Sequence, residues 1–233
     1  MVEFGNDNLL VLLGQEPDAH LIFMDQNQLS AYVHQDPFPL FTNDLRSTSS
    51  EFGDLVQKIL GRQIKLDASF LNAVFNETSG HPFLTVNLLR EFVDWLIEQR
   101  RPVSQLDLSD TDFADFAAAK LKAAQLMLSP EYQFFRGVIS EALGSDGRDI
   151  SPWLHLVYSA LRDVTRAADS DYRCLRSDYE VLVEMNRASE LGFTPEGLLG
   201  AASRANFLAF DETHVWPRIR MLGRLSTVVQ PRV

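Results

Sequence analysis

The run PFLTVNLLREFVDWLI, at positions 82–97, constrains the fold of this chain more than any other segment. Its apolar residues recur at helical spacing, yet they cover more of the helix surface than the ~100° stripe of an ordinary surface helix. Neighbouring elements must therefore shield it on several sides. Pro82 suits the first position of a helix, and Pro102 prevents the helix from continuing. We expect a buried helix within a helical bundle.

Capped amphipathic segments on both sides of this run predict five or more helices between Ser47 and Glu190. Each begins with a side chain that accepts hydrogen bonds from free backbone N–H groups, or with a proline. The candidate starts are Thr78 or Ser79 for the central run, Asp67 or Ser69 for the segment before it, and Ser109 and Pro152 for two later segments. Beyond Glu190, Thr194 followed by Pro195 starts a further helix. The expected fold class is mainly α, with a soft domain boundary at residues 128–132.

Strand signals are confined to the two ends of the chain. The apolar run at 20–26 indicates a buried strand, and the run at 8–14 fits a strand or the end of a helix. The two prolines of QDPFPLF, at 35–41, indicate an extended connector. Near the other end, NFLAF and VWPRIRM flank the polar sequence DETH, which predicts a β-hairpin within 206–221. Helix, helix and hairpin in this order are typical of a winged-helix module.

Composition limits the class of protein. The chain has 233 residues and a formal net charge of -11, which works against non-specific binding to nucleic acid or to anionic membranes. The single cysteine, Cys174, excludes an internal disulfide framework and fits a reducing compartment. We find no signal-peptide pattern and no apolar run long enough for a membrane span. We therefore expect a cytoplasmic protein.

The charge is unevenly distributed along the chain. From residue 201 onwards five arginines stand against two acidic residues. One interpretation is a solvated face followed by a tail. The other is a basic surface that contacts nucleic acid or an acidic partner. In that second case the contact residues are Arg204, Arg218, Arg220 and Arg224.

The chain encodes no complete active site that we recognise. It lacks G-x-x-x-x-G-K-S/T, H-E-x-x-H, paired C-x-x-C and G-x-S-x-G motifs. A lone cysteine cannot build a thiolate zinc site, and the histidines do not have metal-ligand spacing, so no metal site is expected. Cys174 is expected to be an incidental thiol. Hydrolysis of ATP by this chain alone is not expected, because nothing in it can hold phosphates and Mg²⁺.

Gly80, His81 and Pro82 directly precede the buried helix. A helix start carries free backbone N–H groups, here those of Phe83 and Leu84, and can bind a polar or anionic ligand atom. Glycine has no Cβ and permits close approach of a flat ring, while the proline ring is a rigid apolar plate. The three residues therefore have two interpretations: a tight turn into a buried helix, or a site that flanks a purine.

Residues 77–96, ETSGHPFLTVNLLREFVDWL, resemble the segment that opens the helical lid of STAND-class signalling ATPases, relatives of the AAA+ ATPases. Ser79 to Phe83 match the family form T-G-G-H-P-Y-L, and an extended Pro-Phe connector precedes the lid in both. The resemblance implies that Pro82 packs against the adenine of bound nucleotide. It also implies three regions. These are residues 1–46 as a remnant of, or connector from, a nucleotide-binding core, 47–127 as the helical lid, and 128–233 as a helical and winged-helix domain.

The implied function is that of a regulatory module whose nucleotide is held by a P-loop outside this chain. Gly80, His81 and Pro82 are the nucleotide-contacting residues in this interpretation, although His81 stands where AAA+ lids usually carry a sensor arginine. No cofactor is expected in the chain alone; ATP or ADP with Mg²⁺ belongs to a longer parent or an assembly. The implied partners are a P-loop domain, in the same or another chain, and a further protein. The alternative is a winged-helix module that binds DNA or protein without nucleotide.

Overall fold

The computed structural model describes residues 50–100, 106–144, 152–169 and 172–229, which all belong to one compact unit. The expectations for residues 1–46, including the strands and the connector, lie outside these residues. The helices are α1 (Glu51–Leu60), α2 (Ala68–Thr78), α3 (Pro82–Glu98), α4 (Asp110–Lys120), α5 (Ala123–Leu128), α6 (Gln133–Gly144), α7 (Pro152–Ala167), α8 (Arg176–Met185), α9 (Pro195–Arg204) and α10 (Arg220–Val228). The strands are β1 (Lys65–Leu66), β2 (Asp107–Leu108), β3 (Cys174–Leu175), β4 (Leu208–Phe210) and β5 (His214–Pro217). Within the described residues the protein is mainly helical, as the sequence predicted.

Helix α3 occupies the core of the first part of the molecule, which comprises α1 to α5 with β1 and β2; α6 to α10 with β3 to β5 are the second part. Phe92, near its middle, contacts Phe70 of α2 and Phe116 of α4, with ring centroids 5.2 Å apart in both pairs. Helix α1 packs against α3 as well, so the expected coverage on several sides is confirmed. The ends of the helix differ from the prediction: their large apolar side chains are 44–62% exposed, at Phe83, Val86 and Ile97. Near each end of α3, one side is therefore exposed, while Leu84 and Leu96 on the other side are buried.

Two short strands that the sequence did not predict connect the loops before α2 and α4. Lys65 and Leu66 of β1 pair in parallel with Asp107 and Leu108 of β2. Both strands are two residues long, and so short a segment shows no alternation of polar and apolar residues. Ser109 follows directly and starts α4 with a capping box, in which the Asp112 carboxylate accepts from the Ser109 N–H at 2.9 Å.

The second part combines helices with a small antiparallel sheet. Along the chain the order is α7, β3, α8, α9, β4, β5 and α10, and the strands lie in the order β3-β5-β4. The hairpin expected within 206–221 is present, with Phe210 opposite Val215. Helix α9 begins as predicted at Thr194 and Pro195, and the Thr194 hydroxyl accepts from the Gly197 N–H at 3.1 Å.

Helix α10 corrects the prediction for the end of the hairpin. The run VWPRIRM was expected to continue as a strand to residue 221, but the strand ends at Pro217 and a helix begins at Arg220. The physical reason is the spacing of Met221, Leu222 and Leu225, which places three buried side chains on one helical face. Helix α10 packs against α2, α5, α6 and α7 and so joins both parts of the molecule. Residues 220–228 are therefore not a solvated tail.

Among the described residues, no helix combines the length and the apolar character that crossing a membrane requires.

Candidate functional site

The turn between α2 and α3 has two consecutive residues in left-handed backbone conformation. Ser79 has φ 48° and Gly80 has φ 71°. A Cβ is disfavoured in this region, which explains the glycine at position 80. Both residues are buried, so Gly80 is not open to a ligand and its contribution is the geometry of the turn. His81 and Pro82, which follow, are half-buried.

His81, rather than Thr78 or Ser79, caps α3. Its Nδ1 accepts from the Leu84 N–H at 3.4 Å, so one of the two backbone donors expected to be free is engaged. An accepting Nδ1 leaves the proton on Nε2 and makes the opposite edge of the ring a hydrogen-bond donor. Burial lowers the pKa of His81 below its ordinary value of 6.5, so the ring is neutral near pH 7. The sequence did not suggest a histidine cap because Asn, Asp, Ser and Thr are the preferred caps.

Two buried threonines fix the turn from inside. The Thr78 hydroxyl donates to the Val74 carbonyl at 3.0 Å and accepts from the Gly80 N–H at 3.3 Å. The Thr85 hydroxyl, one turn into α3, donates to the Thr78 oxygen at 3.0 Å. Both side chains are completely buried. Because these bonds connect α2, the turn and α3, we infer that the turn is rigid and that His81 and Pro82 are held in place.

Aromatic side chains from α3 and α6 surround the exposed side of this turn. The ring of Phe135 lies edge-on to His81 at 6.1 Å and near Phe83 at 5.9 Å between centroids. Phe134 contacts Phe135 at 5.6 Å. Phe83 is 49% exposed and Phe134 is 60% exposed. We call Phe83, Phe134 and Phe135 the aromatic surface.

Sequence reasoning missed the contribution of α6 to this surface. Phe134 and Phe135 follow Phe83 by about 50 positions, and only the tertiary fold brings them together. A weak signal was present, however: adjacent residues on a helix point about 100° apart, so the rings of two neighbouring phenylalanines extend in different directions. The pair in EYQFFRG was therefore compatible with one ring lying outside the core.

The four arginines predicted as contact residues have different surroundings. Arg204 and Arg218 are exposed. The Arg220 guanidinium lies over the ring of Tyr172 at 4.4 Å, and that of Arg224 lies over the same ring at 4.9 Å. Arg224 is also paired with the buried carboxylate of Glu77 through Nη2 to Oε1 at 2.9 Å and Nε to Oε2 at 3.2 Å. Arg224 thus has a structural partner, which leaves Arg204 and Arg218 as the exposed members of the set.

Other candidate chemistry is sparse in the described residues. They contain no group of three or more His, Cys, Asp and Glu side chains suited to a metal ion. Cys174 is buried, and burial, reinforced by Asp178 and Asp169, raises the pKa of its thiol. A thiol with a raised pKa carries little of the reactive thiolate at neutral pH. The turn and the aromatic surface are therefore the strongest candidate site.

Comparison of the chain with protein-family models, with curated proteins and with solved structures gave no match.

Proposed function

We propose that this chain is a regulatory lid and winged-helix module that contacts the base of ATP or ADP while a P-loop outside the chain holds the phosphates. His81 and Pro82, which the turn at residues 79–82 positions, and the aromatic surface are the contact site, while the buried Gly80 gives the turn its geometry. One observation carries the proposal. The neutral His81 and Pro82 lie on a turn that hydrogen bonds hold in place, next to the exposed rings of Phe83 and Phe134.

The chemistry of this site suits a purine. A purine has two flat faces, which pack on proline and aromatic rings, and an edge with hydrogen-bond acceptors. Phe83, Phe134 and Pro82 supply the apolar faces, and the Nε2–H of His81 supplies a donor. Stacking of one base on an aromatic side chain contributes about 1–3 kcal/mol. Stacking of this strength gives only weak binding by itself. It adds to the affinity for a nucleotide when another domain binds the phosphates.

The phosphates require a different partner. His81 is neutral near pH 7, and burial opposes its protonation, so it is suited to a base more than to a phosphate. The sequence contains no P-loop. We therefore assign the phosphates and Mg²⁺ to a P-loop domain in the same or another chain, with residues 47–127 as the lid that closes on the base.

The order of elements supports a winged-helix module within residues 128–233. A helix, a strand, two helices and a hairpin follow one another as α7, β3, α8, α9, β4 and β5, and the strand nearest the chain end lies in the middle of the sheet. Asp211 closes the hairpin by accepting from the N–H groups of Thr213 and His214 at 2.9 and 2.8 Å. These bonds lower the pKa of Asp211 to about 2, so the turn keeps its charge over the physiological pH range.

A second candidate function is binding of a protein partner by this module without nucleotide. Helix α9 has the position that reads DNA in many winged helices, but its exposed residues include Glu196, Gly197 and one arginine, Arg204. Arg176, at the start of α8, is paired with Glu196. A surface for phosphates needs clustered basic residues. The observed charges favour a protein over DNA as the partner.

The test is a titration followed by ¹H–¹⁵N NMR on the full chain. Adenosine, ADP, cytidine and inorganic phosphate are added separately. We expect adenosine and ADP to shift the amide signals of residues 79–84 and 133–136 with a dissociation constant on the order of 1 mM, because only the base is held. Cytidine should shift them less and phosphate should not shift them. Shifts caused by phosphate alone, or none with adenosine, would contradict the proposal.

A further inference from the structure

A buried ion pair connects two helices that are far apart in the sequence. Glu77 lies in the last turn of α2 and Arg224 lies in α10, with 147 positions between them. The Glu77 side chain is 5% exposed and that of Arg224 is 23% exposed. Helix α10 also packs on α5, α6 and α7, so the pair lies where the first part of the molecule meets the second.

Both charged groups are fully engaged. Arg224 donates from Nε and Nη2 to the two different carboxylate oxygens of Glu77, which is the bidentate geometry that arginine favours. Nη2 also donates to the Tyr172 hydroxyl. A buried carboxylate that loses its partner retains the cost of desolvation without the compensating attraction. The pair therefore favours contact between α2 and α10, and a substitution that removes one partner leaves the other buried without compensation.

Tyr172 completes the cluster at a position of backbone strain. Its φ is 63°, a left-handed value that is uncommon for a bulky residue. Its ring is contacted by the guanidinium groups of Arg220 and Arg224, which lie one helical turn apart on α10. Such a conformation persists only when the surroundings hold it. Among the described residues, the Tyr172 N–H donates to the Asp169 carbonyl at 3.1 Å, and the two arginines contact the ring.

We propose that Glu77, Tyr172 and Arg224 form a latch, a polar contact that holds α10 on α2 and opens without unfolding either part. Polar groups at a contact can be hydrated once they separate, whereas the apolar face of α10 towards α7 cannot be exposed without a large cost. We therefore expect α10 to separate from α2 more easily than from α7. The proposal does not require nucleotide, so it stands or fails independently of the proposed function.

The experiment is hydrogen–deuterium exchange of the full chain, read by mass spectrometry. The variants are Glu77→Gln, Arg224→Gln and the double variant, with Glu196→Gln as control. Glu196 is also paired with an arginine between two helices, but both helices lie in the second part. We expect each single change to speed exchange in residues 75–82 and 220–228 about tenfold more than in the hairpin at 208–217. The control should leave residues 75–82 unchanged.

The double variant tests whether Glu77 and Arg224 act as a pair or whether each stabilises its own helix independently. Because both charges are removed, its exchange should be no faster than that of the faster single variant. An equal increase across all segments would make the pair a general stabiliser and would overturn the proposal, as would unchanged exchange at 75–82. Should Glu77→Gln fail to fold, Arg224→Lys keeps the charge but loses the bidentate geometry, and it should show the same pattern at smaller amplitude.

Discussion

At the scale of single residues, the candidate site depends on a backbone conformation that glycine permits. Gly80 has φ 71° within a turn whose neighbours are buried. Gly80→Ala should lower the free energy of unfolding by about 1–2 kcal/mol, because an L-residue is disfavoured in the left-handed region.

Gly137 provides the matched control for this change. It lies inside α6, and no atom would come within 4 Å of an added Cβ. Gly137→Ala should stabilise the protein by up to about 1 kcal/mol, since alanine favours a helix interior. Urea unfolding measures both variants. A loss of stability in Gly137→Ala as large as that in Gly80→Ala would contradict this account of the turn.

His81 should make stability depend on pH. Its pKa in the folded protein is lowered by burial, whereas the unfolded value is near 6.5. The unfolded state therefore binds more protons in this range, and the contribution of His81 to stability is present above the unfolded pKa and lost as pH falls through the folded pKa. His81→Asn keeps a capping side chain but cannot titrate. Between pH 7 and pH 5 the free energy of unfolding should fall less in His81→Asn than in the natural protein; equal falls would show that His81 does not titrate with folding.

At the scale of elements, α10 has the clearest energetic consequence. Leu225 is completely buried in this helix, and Leu128, at the end of α5, is 82% exposed. Leu225→Ala should lower the free energy of unfolding by about 2–5 kcal/mol through lost burial and a cavity. Leu128→Ala should change it by less than about 0.5 kcal/mol. Urea unfolding of the two variants compares them, and similar values would mean that α10 does not pack as described.

The elements that could be predicted from the sequence are those with a long hydrophobic pattern and with characteristic residues at a helix start or a turn. Pro82 and Thr194 identified the starts of α3 and α9, and the polar turn of Asp211 identified the hairpin. Strands β1 and β2 are too short to show alternation. Helix α10 was missed because Pro217 and the β-branched residues around it favoured a longer strand. The helical spacing of Met221, Leu222 and Leu225 has its effect because packing against α7 buries that face.

Only the part of the candidate site that is formed by residues adjacent in the chain could be predicted from the sequence. Gly80, His81 and Pro82 are neighbours in the chain, so their turn could be inferred from residue types. The contact of His81 with Phe135, and the pairing of Arg224 with Glu77, arise from the tertiary fold. A single sequence contains no direct record of such pairs.

At the scale of the whole molecule, the distribution of charge argues against duplex DNA as a partner. The net charge is -11. Of the four arginines predicted as phosphate contacts, Arg224 is paired with Glu77 and Arg220 is stacked on Tyr172. In gel-shift titrations the chain should not retain duplex DNA at moderate salt, because two exposed arginines release few counterions. Retention that weakens in Arg204→Ala and Arg218→Ala would instead support the DNA-binding alternative.

The candidate site is also connected to the second part of the molecule. The turn at 79–82 follows Glu77 directly, and Glu77 is held by α10 of the second part. A ligand that contacts His81 and Pro82 therefore binds close to a residue at the junction of the two parts. In the proposed function, this connection is the physical route from the bound base to α10.

The measurement that tests the central claim most directly compares Pro82→Ala with Pro195→Ala. Both prolines begin a helix, so both changes should alter the melting temperature to a similar small extent. Only Pro82 lies beside the aromatic surface. The account predicts that Pro82→Ala weakens adenosine binding, followed by NMR titration of the full chain, about fivefold or more, whereas Pro195→Ala leaves it unchanged. Equal adenosine affinities in the two variants, with melting temperatures lowered alike, would make the turn purely structural and contradict the proposed function.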